Sequence, residues 1–143
     1  MTITFRKMTP VLVVDAVEPC LAFWVDRLGF AVEHRIPGDD GTLIFGSVHR
    51  DGIELMYQTR ASVLAGEDPA AGEQRQAELA GHSVALYFEV SDFDAVEAAL
   101  AGARVMKPRH ETFYGTVELY VREPGGNMVG FAAPVNTPAT DGR

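Results

Sequence analysis

The chain has 143 residues, 47% of them hydrophobic and 22% charged, ordinary values for one compact domain or two small halves sharing an interface. A formal net charge of −8 argues against a nucleic-acid partner, since phosphate binding depends on Lys and Arg, and it suits either simple solubility or a cationic ligand. Cys20 is the single cysteine, so an internal disulfide is excluded, and no apolar run nears the roughly 20 residues that cross a bilayer.

The N-terminal stretch MTITFRKMTP has no apolar core before a small-residue cleavage site and does not read as a signal peptide. A cytoplasmic location without a membrane partner is therefore expected. Met8 to Val14 (MTPVLVV) reads as a buried strand that ends at Asp15. Asp15 is a candidate N-cap with Glu18 three residues on, and the helix that follows aligns Leu21, Val25 and Leu28, with Trp24 beside them. Gly29 closes it. Cys20, near the helix start, reads as a small packing residue.

Three strand-like segments follow, Phe30 to Ile36, Thr42 to Val48 and Ile53 to Gln58, divided by turns at Gly38–Gly41 and Arg50–Gly52. Residues 1–59 thus form a βαβββ module. Residues 60–81 read as an Ala-, Gly-, Glu- and Gln-rich connector with a short helix near Glu73 to Leu79. The second module, 82–134, repeats the pattern. Val84 to Val90 is a strand, Asp92 caps a helix striped by Val96 and Leu100, and Gly102 ends it. Strands at Arg104 to Lys107, Val117 to Arg122 and Met128 to Ala132 follow, the last two joined by the turn Glu123–Asn127. Residues 135–143 read as a frayed tail. Two βαβββ modules in one chain give an α+β fold with an internal repeat.

Thr9 to Phe30 resembles the opening strand and helix of the vicinal oxygen chelate superfamily of glyoxalases, bleomycin-resistance proteins and extradiol dioxygenases. Phe23–Trp24–Val25–Asp26–Arg27–Leu28–Gly29–Phe30 is most similar to bleomycin-resistance proteins. Tyr114 to Pro134 resembles the group's final hairpin, with its acidic–Pro–x–Gly–Asn turn. The resemblance implies that each module curls its strands into a half-barrel, with helices on the convex face and a ligand crevice on the concave one. It also implies a homodimer, since one open half-barrel exposes apolar surface.

In the group's metalloenzymes, a His or Gln early in each module's first strand and a Glu in each last strand hold a divalent metal. The resemblance places those positions at Met8, Ala85, Glu54 and Gly130, of which only Glu54 is a suitable ligand. No metal and no other cofactor is expected. His34, His49, His82 and His110 show no metal-type spacing, although a set of His82, His110 and Glu118 stays open; His110 is read as a loop residue. No nucleophile–His pair or phosphate-binding loop is visible, so no catalytic residue is assigned.

Strand alternation instead selects a ligand face. In VALYFEV, Tyr87 and Glu89 point away from the helix side held by Leu86 and Phe88. In IELMYQ, Glu54, Met56 and Gln58 share a face, and in VELYVRE Glu118 and Tyr120 oppose Val117, Leu119 and Val121. The resemblance to bleomycin-resistance proteins adds His34, Phe45 and Tyr114. Such a mixture of rings, thioether and carboxylates suits an aromatic or cationic small molecule. The bland reading has Tyr and Met packing a subunit interface, with Glu89 or Glu118 paired to Arg104 or Arg122.

Three functional classes follow. The first is a metal-free binding protein that captures a small organic molecule such as an antibiotic. The second is an enzyme, either metal-dependent with displaced ligands (an isomerase, dioxygenase or thiol transferase) or metal-free with Glu54 or Glu89 as general base. The third is a purely structural role.

Overall fold

The structure, a computed structural model, describes residues 2–65, 72–74, 77 and 84–135. Two compact units divide the chain, Met1–Gly81 and His82–Arg143, and each is built on its own four-stranded mixed sheet.

In the first unit, β1 (Val11–Val14) leads to α1 (Glu18–Ala22), which continues as a π-helical segment over Phe23–Arg27. The strands β2 (Ala31–Pro37), β3 (Leu43–Arg50) and β4 (Ile53–Thr59) follow, and the sheet order is β1-β4-β3-β2. The pair β1–β4 is parallel and the other pairs are antiparallel. A short helix, α2 (Arg60–Leu64), follows β4. The second unit repeats the plan with β5 (Leu86–Glu89), α3 (Phe93–Ala99), β6 (Arg104–Glu111), β7 (Thr116–Arg122) and β8 (Met128–Pro134), ordered β5-β8-β7-β6. The expected α+β class and doubled βαβββ order are both present.

One face of each sheet packs under its helix. In the first unit Val48, Leu55 and Tyr57 are buried there with Val17, Cys20, Leu21 and Trp24. Burial of each large apolar side chain contributes roughly 1.5–3 kcal/mol. Trp24 Nε1 donates to the Tyr57 hydroxyl at 2.8 Å, which satisfies both polar groups inside that core. Gly46 makes the close approach possible, because a Cβ there would meet Leu21 Cδ1 at 2.7 Å. In the second unit Leu119, Val121, Val129 and Phe131 line the helix side with Phe93 and Leu100, and Phe88 stacks on Phe131.

Five expectations need correction. The first strand starts at Val11, not Met8. Pro10 lacks an N–H and can only lend its carbonyl to Met56 N–H, so the ladder stops there and Met8 is exposed. Asp15 does not cap α1, whose N-cap is Val17 with no side-chain bond. Asp15 instead receives Arg60, while Glu18 accepts the Leu43 N–H. The connector opens as a helix at Arg60, capped by Thr59 Oγ1 accepting from Ser62 N–H at 3.2 Å. The last two corrections concern one strand. β6 runs through Pro108 to Glu111, and His110 therefore lies in a strand rather than a loop. β6 is an edge strand with two register shifts, and that setting tolerates proline. The helix expected near Glu73 to Leu79, the residue His82 and the tail beyond Val135 lie wholly or mostly outside the described residues.

The two aspartates expected to be equivalent therefore differ. Asp92 Oδ1 accepts the Ala95 N–H at 3.0 Å, as a cap should, whereas Asp15 makes only a surface ion pair at 2.6 Å. Urea denaturation should show Asp92→Ala destabilising the protein by about 1 kcal/mol. Asp15→Ala should cost less than about 0.5 kcal/mol. Equal losses would contradict the assignment of one cap and one surface pair.

Candidate functional site: a tyrosine-ringed carboxylate

The face of the second sheet opposite its helix holds a cluster centred on Glu118. Pairing sets its layout. Tyr87 and Tyr120 both pair with Gly130, one from each side, and Glu89 and Glu118 both pair with Ala132. The sequence pattern Thr116–x–Glu118–x–Tyr120 puts three polar side chains on one side of β7. Tyr114 comes from the β6–β7 hairpin, where Gly115 takes a positive φ of 90°.

Glu118 is only 1% exposed, yet its carboxylate is well provided with donors. Oε2 accepts from the hydroxyls of Tyr87 at 2.5 Å, Thr116 at 2.8 Å and Tyr114 at 3.0 Å. Oε1 accepts from the Tyr120 hydroxyl at 2.9 Å. The bland pairing with Arg104 or Arg122 does not occur for Glu118. Arg122 bonds the Gly126 carbonyl, and no ion pair reaches Glu118 among the described residues.

Two effects compete over its proton. Desolvation raises the carboxyl pKa, but hydrogen bonds from Tyr87, Thr116, Tyr120 and Tyr114 together outweigh it and hold the group at about 2. The tyrosines shift the other way, since each would lose its bond to the carboxylate on ionising. Tyr87 is pushed to about 12, chiefly by its bond to Glu118, and Tyr120 to about 12 by burial and then that bond. Tyr114 is raised as well, first by its bond to Glu118. Across the neutral range the cluster keeps one negative charge and three neutral phenols.

The glycine in β8 is required by this arrangement. A Cβ on Gly130 would lie 2.4 Å from Tyr120 Cε2 and 2.8 Å from Cδ2, so the Tyr120 ring occupies the space over that residue. Position 130 is where the resemblance places a metal-binding Glu, so this locus is filled by a phenol. The residues present do not fit a divalent ion. Met8 and Ala85 are poor ligands, and no group of three or more His, Cys, Asp or Glu among the described residues could hold a metal.

The first sheet presents its own second face, opposite its helix. Cross-strand pairs Phe45–Gln58, Ser47–Met56, His49–Glu54 and His34–Ser47 place all five residues expected there, His34, Phe45, Glu54, Met56 and Gln58, on one side. Glu54, Met56 and Gln58 are half-buried between the buried Leu55, Tyr57 and Thr59. Glu54 is paired with Lys7, whose hydrogen bond lowers its pKa. Gln58 bonds Ser62 at 3.2 Å. Sequence reasoning missed Ser47, which is fully buried with its hydroxyl lacking a partner among the described residues, and Thr116, which the alternation with Glu118 and Tyr120 could have revealed. Of the remaining expected residues, Glu89 is exposed and outside the hydroxyl cluster. His110 pairs with Glu118 across the ladder and stacks on Tyr120.

The pKa shifts fix the acid and alkaline limits of the cluster. Glu118 has a lowered pKa, so its stabilisation is full above the ordinary value of 4.5 and is lost as pH falls towards about 2. Tyr87 and Tyr120 have raised pKa values, so their contribution fades between pH 10 and about 12. A melting series should show Glu118→Gln flattening the acid limb between 4.5 and 2. Gly130→Ala should destabilise by about 1–3 kcal/mol through overpacking against Tyr120. A neutral effect of that substitution would mean the ring is not held where the structure puts it.

Comparison with known proteins agrees with this architecture. The family model for the Glyoxalase/Bleomycin resistance protein/Dioxygenase superfamily matches residues 8–131. An uncharacterized protein of Mycobacterium bovis is 27% identical over 130 residues, covering 90% of this chain and 83% of that protein. The bleomycin-binding protein of bleomycin-producing Streptomyces verticillus, solved with copper(II)-bleomycin, is 25% identical with a TM-score of 0.58, covering 95% of this chain and 100% of its own. A lactoylglutathione lyase of Agrobacterium tumefaciens shares the fold at 17% identity and a TM-score of 0.64, covering 90% of this chain and 92% of its own. The chain belongs to the Glyoxalase/Bleomycin resistance protein/Dioxygenase superfamily.

Proposed function

We propose that this protein captures a small organic molecule of aromatic or cationic character, an antibiotic of the bleomycin kind among them, and releases it unchanged. The observation that carries this reading is the geometry of the Glu118 cluster, in which four hydroxyls donate to one buried carboxylate and hold it ionised. A general acid or base works best with a pKa near the operating pH. Here the carboxyl stands at about 2 and two of the phenols at about 12, so no group in the cluster is placed to exchange a proton with a substrate at neutral pH. Charge and rings that do not titrate suit recognition.

Two further observations support binding. The residues opposite the helix on each sheet combine rings, a thioether, amide and carboxylates, a composition that suits recognition. The similarity to the Streptomyces verticillus bleomycin-binding protein extends over 95% of the chain. In this reading the candidate contacts are His34, Phe45, Glu54, Met56 and Gln58 within the first unit and, separately, Tyr87, Glu89, Tyr114, Glu118 and Tyr120 within the second. The protein acts in the cytoplasm as a homodimer, by stoichiometric capture without metal. A metal-dependent isomerase, dioxygenase or thiol transferase with displaced ligands is the competing reading, and no specific observation favours it.

Calorimetric titration with metal-free and copper-loaded bleomycin, with and without a chelator, tests the proposal. Saturable binding at fixed stoichiometry is expected, with the ligand recovered intact by mass spectrometry. Phe45→Ala or Tyr114→Ala should weaken it by about tenfold, the scale of one lost aromatic contact. Chemical conversion of the ligand, or binding that disappears with the chelator, would overturn capture as the mechanism.

A further inference from the structure

Buried carboxylates are almost always paired with a cation. Glu118 is 1% exposed and is held ionised, yet among the described residues it makes no ion pair; its partners are four neutral hydroxyls. The nearby basic groups are engaged or turned elsewhere. His110, its partner across the ladder, directs Nδ1 to the Pro108 carbonyl at 2.8 Å, and Arg122 bonds the Gly126 carbonyl at 2.6 Å. Lys107, which pairs with Tyr120, is exposed. The hydroxyls satisfy the carboxylate's lone pairs without cancelling its charge.

The same bonds prepare the rings. A phenol that donates to a carboxylate is polarised, with electron density shifted from the hydroxyl into the ring. Tyr87 and Tyr114 both donate to Oε2, so their hydroxyls converge on one atom, yet the two residues remain 49% and 57% exposed. Phe113 meets Tyr114 edge-on at 5.1 Å and is fully exposed, which extends the aromatic surface. Glu89, on the same side of the sheet and also exposed, adds a second negative charge. Electron-rich open rings over an uncompensated buried anion form the environment that draws a desolvating organic cation.

We infer that Tyr87 and Tyr114, backed by Glu118, form a subsite for an alkylated ammonium group, the quaternary or tertiary amine end of a small organic ligand. This rests on the reading of the protein as a small-molecule binder and assigns the cationic part of that ligand to the second sheet. The carboxylate acts through the phenols, as a charge behind the rings, and does not itself touch the ligand. A trimethylammonium group fits such a place better than a primary amine, because its methyl groups demand no hydrogen bonds and the hydroxyls are already committed.

The test is NMR titration of the full chain with choline and with 3,3-dimethylbutan-1-ol, its uncharged carbon isostere, following the tyrosine ring signals. Choline should give saturable shifts of Tyr87 and Tyr114, and the isostere should bind at least about tenfold more weakly. Tyr114→Leu, on an exposed ring, should weaken choline by about tenfold, and Glu118→Gln should reduce the preference over the isostere. A melting curve for each variant reports whether it folds, and Tyr114→Leu serves if Glu118→Gln does not. Equal binding of choline and isostere, or no saturable shift of either tyrosine, would sink the subsite. Bleomycin titrated into the same samples separates the two claims. If bleomycin binds and choline does not, the subsite fails while capture stands; if choline binds and bleomycin does not, the subsite stands and antibiotic capture fails.

Discussion

The polar face of the second sheet depends on one buried charge. Glu118 can stay ionised away from water only because Tyr87, Tyr114, Thr116 and Tyr120 all donate to it, and those four can converge only because three strands and a hairpin hold them there. Tyr120 reaches its place because residue 130 has no side chain. A single backbone position in β8 thus decides whether the Tyr120 ring can lie over it. The resemblance places a metal-binding carboxylate at this position, and the glycine found there leaves the face to aromatic rings.

The two units solve the same folding problem with different details. Each packs a short helix on one side of a mixed sheet and leaves the other side for polar and aromatic side chains. The first unit stabilises its helix by an aromatic core, in which Trp24 packs against Phe23 and Phe30 and bonds Tyr57. The second relies on the Asp92 cap and on the stack of Phe88 on Phe131. The turn before β8 is held by Glu123, whose Oε1 accepts from both the backbone and side-chain nitrogens of Asn127. That turn fixes where β8 begins and so where Gly130 falls relative to Tyr120.

Much of this was legible in the sequence because the informative patterns are short in range. Period-2 alternation correctly put Glu54, Met56 and Gln58 on one side and Tyr87, Glu118 and Tyr120 on another, since a strand's geometry is set by its own residues. The doubled βαβββ order followed from turn residues and apolar runs. What escaped depends on contacts distant in sequence or on strand position within the sheet. The pairing of Lys7 with Glu54, the diversion of Asp15 to Arg60 and the orphaned hydroxyl of Ser47 all require knowing which strands are neighbours. The continuation of β6 through Pro108 to Glu111 escaped because nothing local says that this strand lies at an edge.

That edge has a consequence for the protein's behaviour while it folds. An open sheet displays a row of unpaired backbone groups on its outermost strand, a template on which another chain can polymerise. β6 is such a strand, and its sequence RVMKPRHE places Pro108 between Lys107 and Arg109, while its register shifts twist the ladder out of line. A second strand approaching that edge meets a proline, the exposed charge of Lys107 and an irregular spacing. The feature that made this segment hard to read is also a guard against aggregation, and it works before any ligand is present.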